Sequence, residues 1–156
     1  MSANERPPRK WEDLTLGEET QSRELTLMRD EMIEFATRYD PQFFHADPEG
    51  ARGSFFGDLI ASGIYTAALW RMLDHEENGN VDWVCGVQWD NVRWRLALRA
   101  GDRVRAHSRV ISKRPSASRP GIGLAVLEHW MTNQDRAVVF EFASTDLVHR
   151  REGGAA

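Results

Sequence analysis

The spacing of hydrophobic residues changes near residue 80, from the period of a helix to the period of a strand. Within 29–40 the apolar positions fall at i, i+3, i+4 and i+7, which predicts an amphipathic helix. These positions are Met32, Phe35, Ala36 and Tyr39. Pro41 disfavours helical geometry at Asp40, so the helix is expected to end there. The segment 62–77 has apolar or small side chains on nearly every face until Asp74, which predicts a helix wrapped by other elements.

After residue 80 apolar and polar residues alternate, which predicts β-strands. The predicted strands are 81–98, 103–112, 122–133 and 136–150, joined by a turn at 99–102, a loop at 113–121 and a turn at 133–135. A further strand is predicted at 19–27, ahead of the helices. The order of strand, helices and long meander predicts an α+β fold in which one apolar helix lies across an antiparallel sheet.

Length and charge restrict the classes of protein that fit this pattern. A chain of 156 residues suffices for one domain with a real core. We expect a domain over 11–150, with a flexible N-terminal arm at 1–10 and a flexible tail at 151–156. The 24 acidic and 20 basic residues are mixed along the chain, so no nucleic-acid partner is expected. No run approaches the ~20 apolar residues of a membrane span. The first ten residues contain no apolar signal segment, and we expect a cytoplasmic protein without a membrane partner.

The single cysteine, Cys85, excludes an internal disulfide and fits a reducing compartment. Its neighbours are valine and glycine. Because an unpaired cysteine is usually buried and inert, we expect a small core residue rather than a nucleophile.

Candidate chemistry lies between the two predicted helices, in "RYDPQFFHADPEG" at 38–50. Asp47 followed by Pro48 is typical of a helix N-cap with proline at the first helical position. Asp40 before Pro41 favours a turn in the same way, and His45, flanked by aromatic residues, fits a hydrogen-bonded core histidine. Together, however, Asp40 and His45 form a pair that can exchange protons with one small molecule, such as water, near neutral pH.

The start of the second predicted helix, "ASGI", offers a third component. Ser62 is a good N-cap, and Gly63 has no side chain that would block its amide. The first turn of a helix presents free N–H groups and the positive end of the helix dipole. Such a group can polarise a carbonyl that gains negative charge during a reaction. The sequence therefore predicts a site that combines an acid/base pair with an oxyanion donor.

These residues resemble a known family. The stretch "FATRYDPQFFHADPEGARGSFFGDLIASGIYTAAL", residues 35–69, is similar to the hydratase motif of the MaoC-like dehydratases, the (R)-specific enoyl-CoA hydratase group of the hotdog fold. Segments 11–19, 92–102 and 112–123 are also similar, so the resemblance covers about 11–150. It implies a single hotdog domain, with a central helix wrapped by a curved antiparallel sheet. It also implies a homodimer or a higher oligomer of dimers.

The resemblance further implies a hydro-lyase that adds water to, or removes it from, a trans-2-enoyl or 3-hydroxyacyl thioester of coenzyme A. Asp40 and His45 would hold the water and move the protons, and the amide of Gly63, beside Ser62, would bind the thioester oxygen. Coenzyme A enters as part of the substrate, so no separate cofactor and no metal are expected. Many members have His-Gly where this chain has Ser62-Gly63, and Asn where it has Gln42. These departures bear on the choice of acyl group.

Three alternatives remain open at this level. A hotdog thioesterase would also use a carboxylate and a helix N-terminus, but it would not require His45. A metal site could combine His45 and Asp47 with a distant histidine, either His107 or His129. A non-catalytic subunit that binds acyl thioesters is the third alternative, because a fold does not determine an activity.

Overall fold

The computed structural model describes residues 5–151, and residues 1–4 and 152–156 lie outside this range. A short 3₁₀ turn, Trp11–Asp13, opens the chain and is followed by two short strands, β1 (Glu19–Gln21) and β2 (Leu25–Thr26). The helices are α1 (Arg29–Tyr39), α2 (Phe43–Ala46), α3 (Pro48–Ala51) and α4 (Gly63–Asn78). The long strands are β3 (Trp83–Trp94), β4 (Arg103–Pro115), β5 (Ile122–Thr132) and β6 (Val138–His149). No helix in residues 5–151 is long and apolar enough to cross a membrane.

All strand pairs are antiparallel, and the sheet runs in the order β1-β4-β5-β6-β3, with β2 also pairing with β4. The strands β4, β5 and β6 follow one another as a meander. β3 joins the far side of β6 and is therefore an edge strand. Its pairing with β6 has three register shifts, and such bulges bend and twist a strand.

Helix α4 lies across this sheet and supplies the centre of the core. Its buried residues Leu69 and Leu73 belong to the same apolar cluster as Val104 of β4, Met131 of β5 and Phe140 of β6. Burial of this apolar surface is the main stabilising contribution to such a fold. The predicted α+β architecture, a central helix wrapped by a curved antiparallel sheet, is confirmed.

Two element boundaries differ from the sequence-based expectation for identifiable reasons. The strand predicted at 19–27 is split into β1 and β2. At the break the Ser22 hydroxyl, in place of a backbone carbonyl, accepts a hydrogen bond from the Ala106 amide at 2.9 Å. Strand β4 runs to Pro115 instead of ending at residue 112, and Pro115 pairs with Gly123 of β5. The predicted loop at 113–121 is correspondingly shorter.

The expectation for Cys85 is wrong, because Cys85 is exposed. It lies on β3, whose apolar composition suggests a core strand but whose position at the sheet edge leaves most of its side chains exposed. The large apolar residues exposed on this strand are Val84, Val87, Trp89 and Trp94. The core of this chain therefore leaves several apolar side chains of β3 exposed.

The described part of the predicted flexible arm, residues 5–10, forms hydrogen bonds with the domain. Arg6 donates to the backbone carbonyls of Glu76 and Glu77, each at 2.6 Å. At the other end, the Arg151 amide donates to Glu12 at 3.1 Å. The remainder of the predicted arm and tail falls outside the described residues.

Candidate active site

The bend between α1 and α2 brings Asp40 and His45 together. Asp40 is the C-cap of α1, and its amide donates to the Ala36 carbonyl at the end of that helix. Pro41 prevents the helix from continuing, and the chain turns before His45 enters the single turn of α2. As a result, the Asp40 Oδ2 atom lies 3.6 Å from the His45 Nε2 atom.

The imidazole of His45 is buried and oriented by a backbone group. Its Nδ1 atom lies 2.9 Å from the Ile60 carbonyl oxygen. Because a carbonyl only accepts hydrogen bonds, Nδ1 carries the proton in the neutral ring, and Nε2 is left with a lone pair on the side of Asp40. Both atoms are proton acceptors on one side of the site, so a water molecule beside them can exchange protons with the pair.

The carboxylate of Asp40 is held by two further donors. The Ser62 hydroxyl donates to Oδ2 at 2.6 Å, and the Gln42 side-chain amide donates to Oδ1 at 3.1 Å. The pKa of Asp40 is lowered, chiefly by the Ser62 hydrogen bond; partial burial opposes this, while Gln42 and the charge of His45 act in the same direction. Hydrogen bonds to the charged form favour that form. Asp40 is therefore an anion at neutral pH.

Ser62 connects the Asp40 carboxylate to the start of α4 through two hydrogen bonds. Its Oγ atom accepts from the Ile64 amide at 3.2 Å as the N-cap and donates its own hydrogen to Asp40. The sequence predicted the cap but missed the bond to Asp40, since nothing in the local pattern places residues 22 positions apart side by side. The dual role fixes the carboxylate relative to the helix N-terminus.

Gly63 is the first residue of α4, where backbone amides lack an intrahelical acceptor. A close neighbour that the sequence did not reveal is Trp94, at the end of β3, whose indole N–H donates to the Gly63 carbonyl at 2.9 Å. A Cβ atom added at Gly63 would lie 2.9 Å from two atoms of that indole. Packing against Trp94 is thus a second reason for glycine at this position.

A cavity of about 400 Å³ adjoins these groups, within the size range of small-molecule sites. Its wall includes His45 and Gly63, together with Thr66 of α4 and Arg95 after β3. The rest of the wall is apolar: Phe44, Phe56, Ile60, Ala61, Trp94, Leu96, Ala97 and Leu98. Asp40 is not part of the wall, so a molecule in the cavity meets His45 first. The arrangement combines an apolar binding space with a proton-exchanging pair and a helix N-terminus.

A protein-family model matches most of the chain, including the candidate site. The model of the family described as "MaoC like domain" matches residues 13–128. The chain belongs to the MaoC-like domain family. The family resemblance inferred from residues 35–69 is therefore confirmed, and so is the hotdog fold.

Individual relatives agree with this assignment to the MaoC-like family. The uncharacterized protein YdeM of Bacillus subtilis (strain 168) is 29% identical over 143 residues, which cover 90% of this chain and 99% of that protein. The MaoC-like dehydratase from Rhodospirillum rubrum is 30% identical, with a TM-score of 0.82 and coverage of 92% and 98% of the two chains. The (R)-hydratase from A. caviae involved in PHA biosynthesis is 20% identical, with a TM-score of 0.70 over 88% and 98% of the chains. At that identity the likeness shows the fold alone.

The residues suggested for a metal site are not brought together in this MaoC-like domain. Asp47 is the N-cap of α3 and accepts from the Glu49 amide at 3.1 Å. His107 lies 3.0 Å from the Thr132 hydroxyl, and His129 lies 2.9 Å from the Ser144 hydroxyl. Among residues 5–151, no group of three or more His, Cys, Asp or Glu side chains is arranged to hold a metal ion.

Proposed function

We propose that this MaoC-like protein is a hydro-lyase that adds water to the double bond of a trans-2-enoyl thioester of coenzyme A, or removes it from the 3-hydroxyacyl product. The observation that supports this best is the approach of Asp40 Oδ2 to His45 Nε2 at 3.6 Å, beside the helix start that contains Gly63. The chain belongs to the MaoC-like family, and a MaoC-like dehydratase is among its solved relatives; the substrate and mechanism are our inference.

In the proposed reaction, the Asp40 carboxylate and His45 Nε2 together hold a water molecule beside them. Its oxygen bonds to C3 of the enoyl group while the pair accepts one of its protons. The electrons of the double bond move toward the thioester, whose oxygen gains negative charge and is stabilised by the Gly63 amide. The pair then delivers a proton to C2. Water is added across the double bond on one face, and Asp40 and His45 return to their starting protonation states.

Hydrolysis of an acyl thioester is the second candidate, because it also needs a carboxylate and a helix N-terminus. The position of His45 favours hydration over this alternative. Its ring is buried, its Nδ1 is bound to the Ile60 carbonyl, and its Nε2 is directed at the Asp40 side. A thioesterase of the predicted type would not require this second proton carrier.

We further propose that the protein functions as a homodimer joined through β3. Within residues 5–151 this strand pairs only with β6, so its outer edge carries backbone groups without ladder partners. An edge with exposed apolar side chains favours pairing with another strand. A second copy of β3 offers the same edge and the same exposed Val84 and Val87, and it would cover both. Trp94, at the end of the strand, lines the cavity instead.

The experiment that tests the proposed function offers the purified protein crotonyl-CoA and acetyl-CoA, with and without a chelator. Formation of 3-hydroxybutyryl-CoA with the thioester intact, insensitive to the chelator, supports the hydratase. Release of free coenzyme A would indicate a thioesterase. Loss of activity with the chelator would indicate that the reaction depends on a metal ion. Binding without conversion of either compound would indicate a non-catalytic subunit.

A further inference from the structure

Trp94 is the largest side chain in the wall of the candidate cavity, and the proposed reaction gives it no role. It ends β3 and approaches the start of α4, where its indole N–H donates to the Gly63 carbonyl. Its ring also lies 5.4 Å from the ring of Phe140, with an angle of 34° between the planes. About half of the residue, 52%, is exposed. The indole is therefore anchored at two points while one side faces the open cavity.

The indole occupies space directly beside the proposed oxyanion donor. A Cβ atom at Gly63 would lie 2.9 Å from both Cε2 and Nε1 of Trp94, so the ring is in close contact with the glycine backbone. The same indole lines the cavity that contains Gly63, so a thioester bound at the Gly63 amide from that cavity lies near the ring. The cavity wall beside Trp94 includes Phe44, Phe56 and Leu98, an apolar lining that suits an acyl group better than the polar arm of coenzyme A.

We propose that Trp94 is a specificity-determining residue that restricts the protein to short acyl chains, because its anchored indole fills space beside Gly63 that a longer chain would need. This inference rests on the proposed hydration of enoyl thioesters. A rigid wall discriminates well, since one excess methylene in an apolar pocket is worth about 10–200-fold in kcat/KM. The hydrogen bond to Gly63 supplies that rigidity.

The test compares kcat/KM for crotonyl-CoA and trans-2-octenoyl-CoA in the wild type and in Trp94→Ala and Trp94→Phe. Because the ratio of the two values does not depend on the fraction of folded protein, it remains valid if a variant is less stable. Trp130→Ala is the matched control. Trp130 lies on β5 and stacks on His107 with ring centroids 5.1 Å apart, and it is not part of the cavity wall.

We expect the wild type to prefer crotonyl-CoA, and Trp94→Ala to raise the octenoyl-to-crotonyl ratio by roughly 10-fold or more. Trp94→Phe loses the hydrogen bond but keeps much of the ring, and it should raise the ratio less. Trp130→Ala should leave it unchanged. Equal wild-type activity on both substrates, or an unchanged ratio in Trp94→Ala, would overturn the role of Trp94 while leaving the hydratase intact. A wild type that hydrates neither substrate would overturn the proposed function and this inference together.

Discussion

At the scale of single residues, Asp40 and His45 are expected to carry the chemistry. We predict that Asp40→Asn and His45→Ala each lower hydration by ~10²–10⁴-fold, the usual contribution of a general acid or base. Both side chains lie at the bend between helices, so the fold should persist. His45→Ala also removes a buried side chain that bonds the Ile60 carbonyl and should lower the melting temperature. Turnover of enoyl thioesters and circular dichroism check this. Normal folding with near-native turnover of every substrate in either variant would show that the site is assigned wrongly.

Ser62 is expected to control the protonation of Asp40. Its hydroxyl is the main cause of the lowered Asp40 pKa, so Ser62→Ala should raise that pKa toward its ordinary value. The carboxylate would then be protonated at higher pH, and the acid limb of kcat/KM against pH should move to higher pH. The loss of the N-cap should also destabilise the protein by about 0.5–2 kcal/mol.

Ser62→Thr is the control for this variant, because it retains a hydroxyl that can serve both the cap and Asp40. Its acid limb should stay near that of the wild type. An unshifted acid limb in Ser62→Ala, accompanied by a lower melting temperature, would show that Ser62 acts only as a helix cap and does not control the pKa of Asp40.

Gly63 requires a revised prediction. The sequence alone predicts that Gly63→Val lowers the chemical rate by ~10²–10³-fold through loss of the oxyanion donor, with little change in stability. Since a Cβ atom would meet the Trp94 indole at 2.9 Å, we now expect Gly63→Val to lose stability as well. The double variant Gly63→Val/Trp94→Ala separates the two effects. It should regain the melting temperature of Trp94→Ala but not its turnover of crotonyl-CoA. Full recovery of turnover would show that Gly63 serves packing only.

His129 makes the stability depend on pH. Burial, followed by the charge of Arg71, lowers its pKa to about 3, whereas the unfolded chain has a histidine pKa near ~6.5. Between these values the unfolded state binds more protons, so the free energy of unfolding falls as the pH falls from ~6.5 toward 3. Burial raises the pKa values of Asp74 and Asp146. These two groups therefore increase the free energy of unfolding as the pH falls, which opposes the effect of His129.

We predict that His129→Gln flattens this acid dependence, because glutamine still donates to the Ser144 hydroxyl but takes up no proton. Denaturant unfolding measured from neutral to acid pH checks the prediction. Identical slopes in the His129 variant and the wild type would contradict the assigned cause.

At the scale of elements, β3 is where sequence and structure diverge most. The periodicities predicted α1, α4 and the long strands closely, because the spacing of apolar residues within one element is a local property of the sequence. The composition of β3 could not reveal that the strand lies at the sheet edge, and so the environment of Cys85 was predicted wrongly. Strand order depends on contacts between distant residues, and a local pattern does not contain them.

The exposed edge leads to a prediction about assembly. We predict that the wild type sediments as a homodimer at micromolar concentration. Val87→Lys, which places a charge at a 54% exposed position of β3, should shift it toward the monomer. Ile111→Lys, at a 43% exposed position of β4, is the matched control and should leave the dimer intact. A wild type that sediments only as a monomer would contradict the proposed assembly.

At the scale of the whole molecule, the sequence predicted more of the fold than of the site. Asp40, His45, Ser62 and Gly63 were identified from a bent segment and a helix start, and the structure places their side chains and backbone close together. Trp94 and the Asp40–Ser62 hydrogen bond were missed, because they join elements that only the folded sheet and helix bring into contact. The family match supports hydration chemistry, while the acyl group depends on the shape of the cavity.

The most direct test of the central claim is the interconversion of crotonyl-CoA and 3-hydroxybutyryl-CoA by the wild type, with Asp40→Asn measured alongside it. The wild type should reach the same mixture from either compound with the thioester intact, and Asp40→Asn should be slower by ~10²–10⁴-fold. If the wild type left both compounds unchanged, or if Asp40→Asn reached the mixture as fast as the wild type, the proposed hydratase site would be refuted.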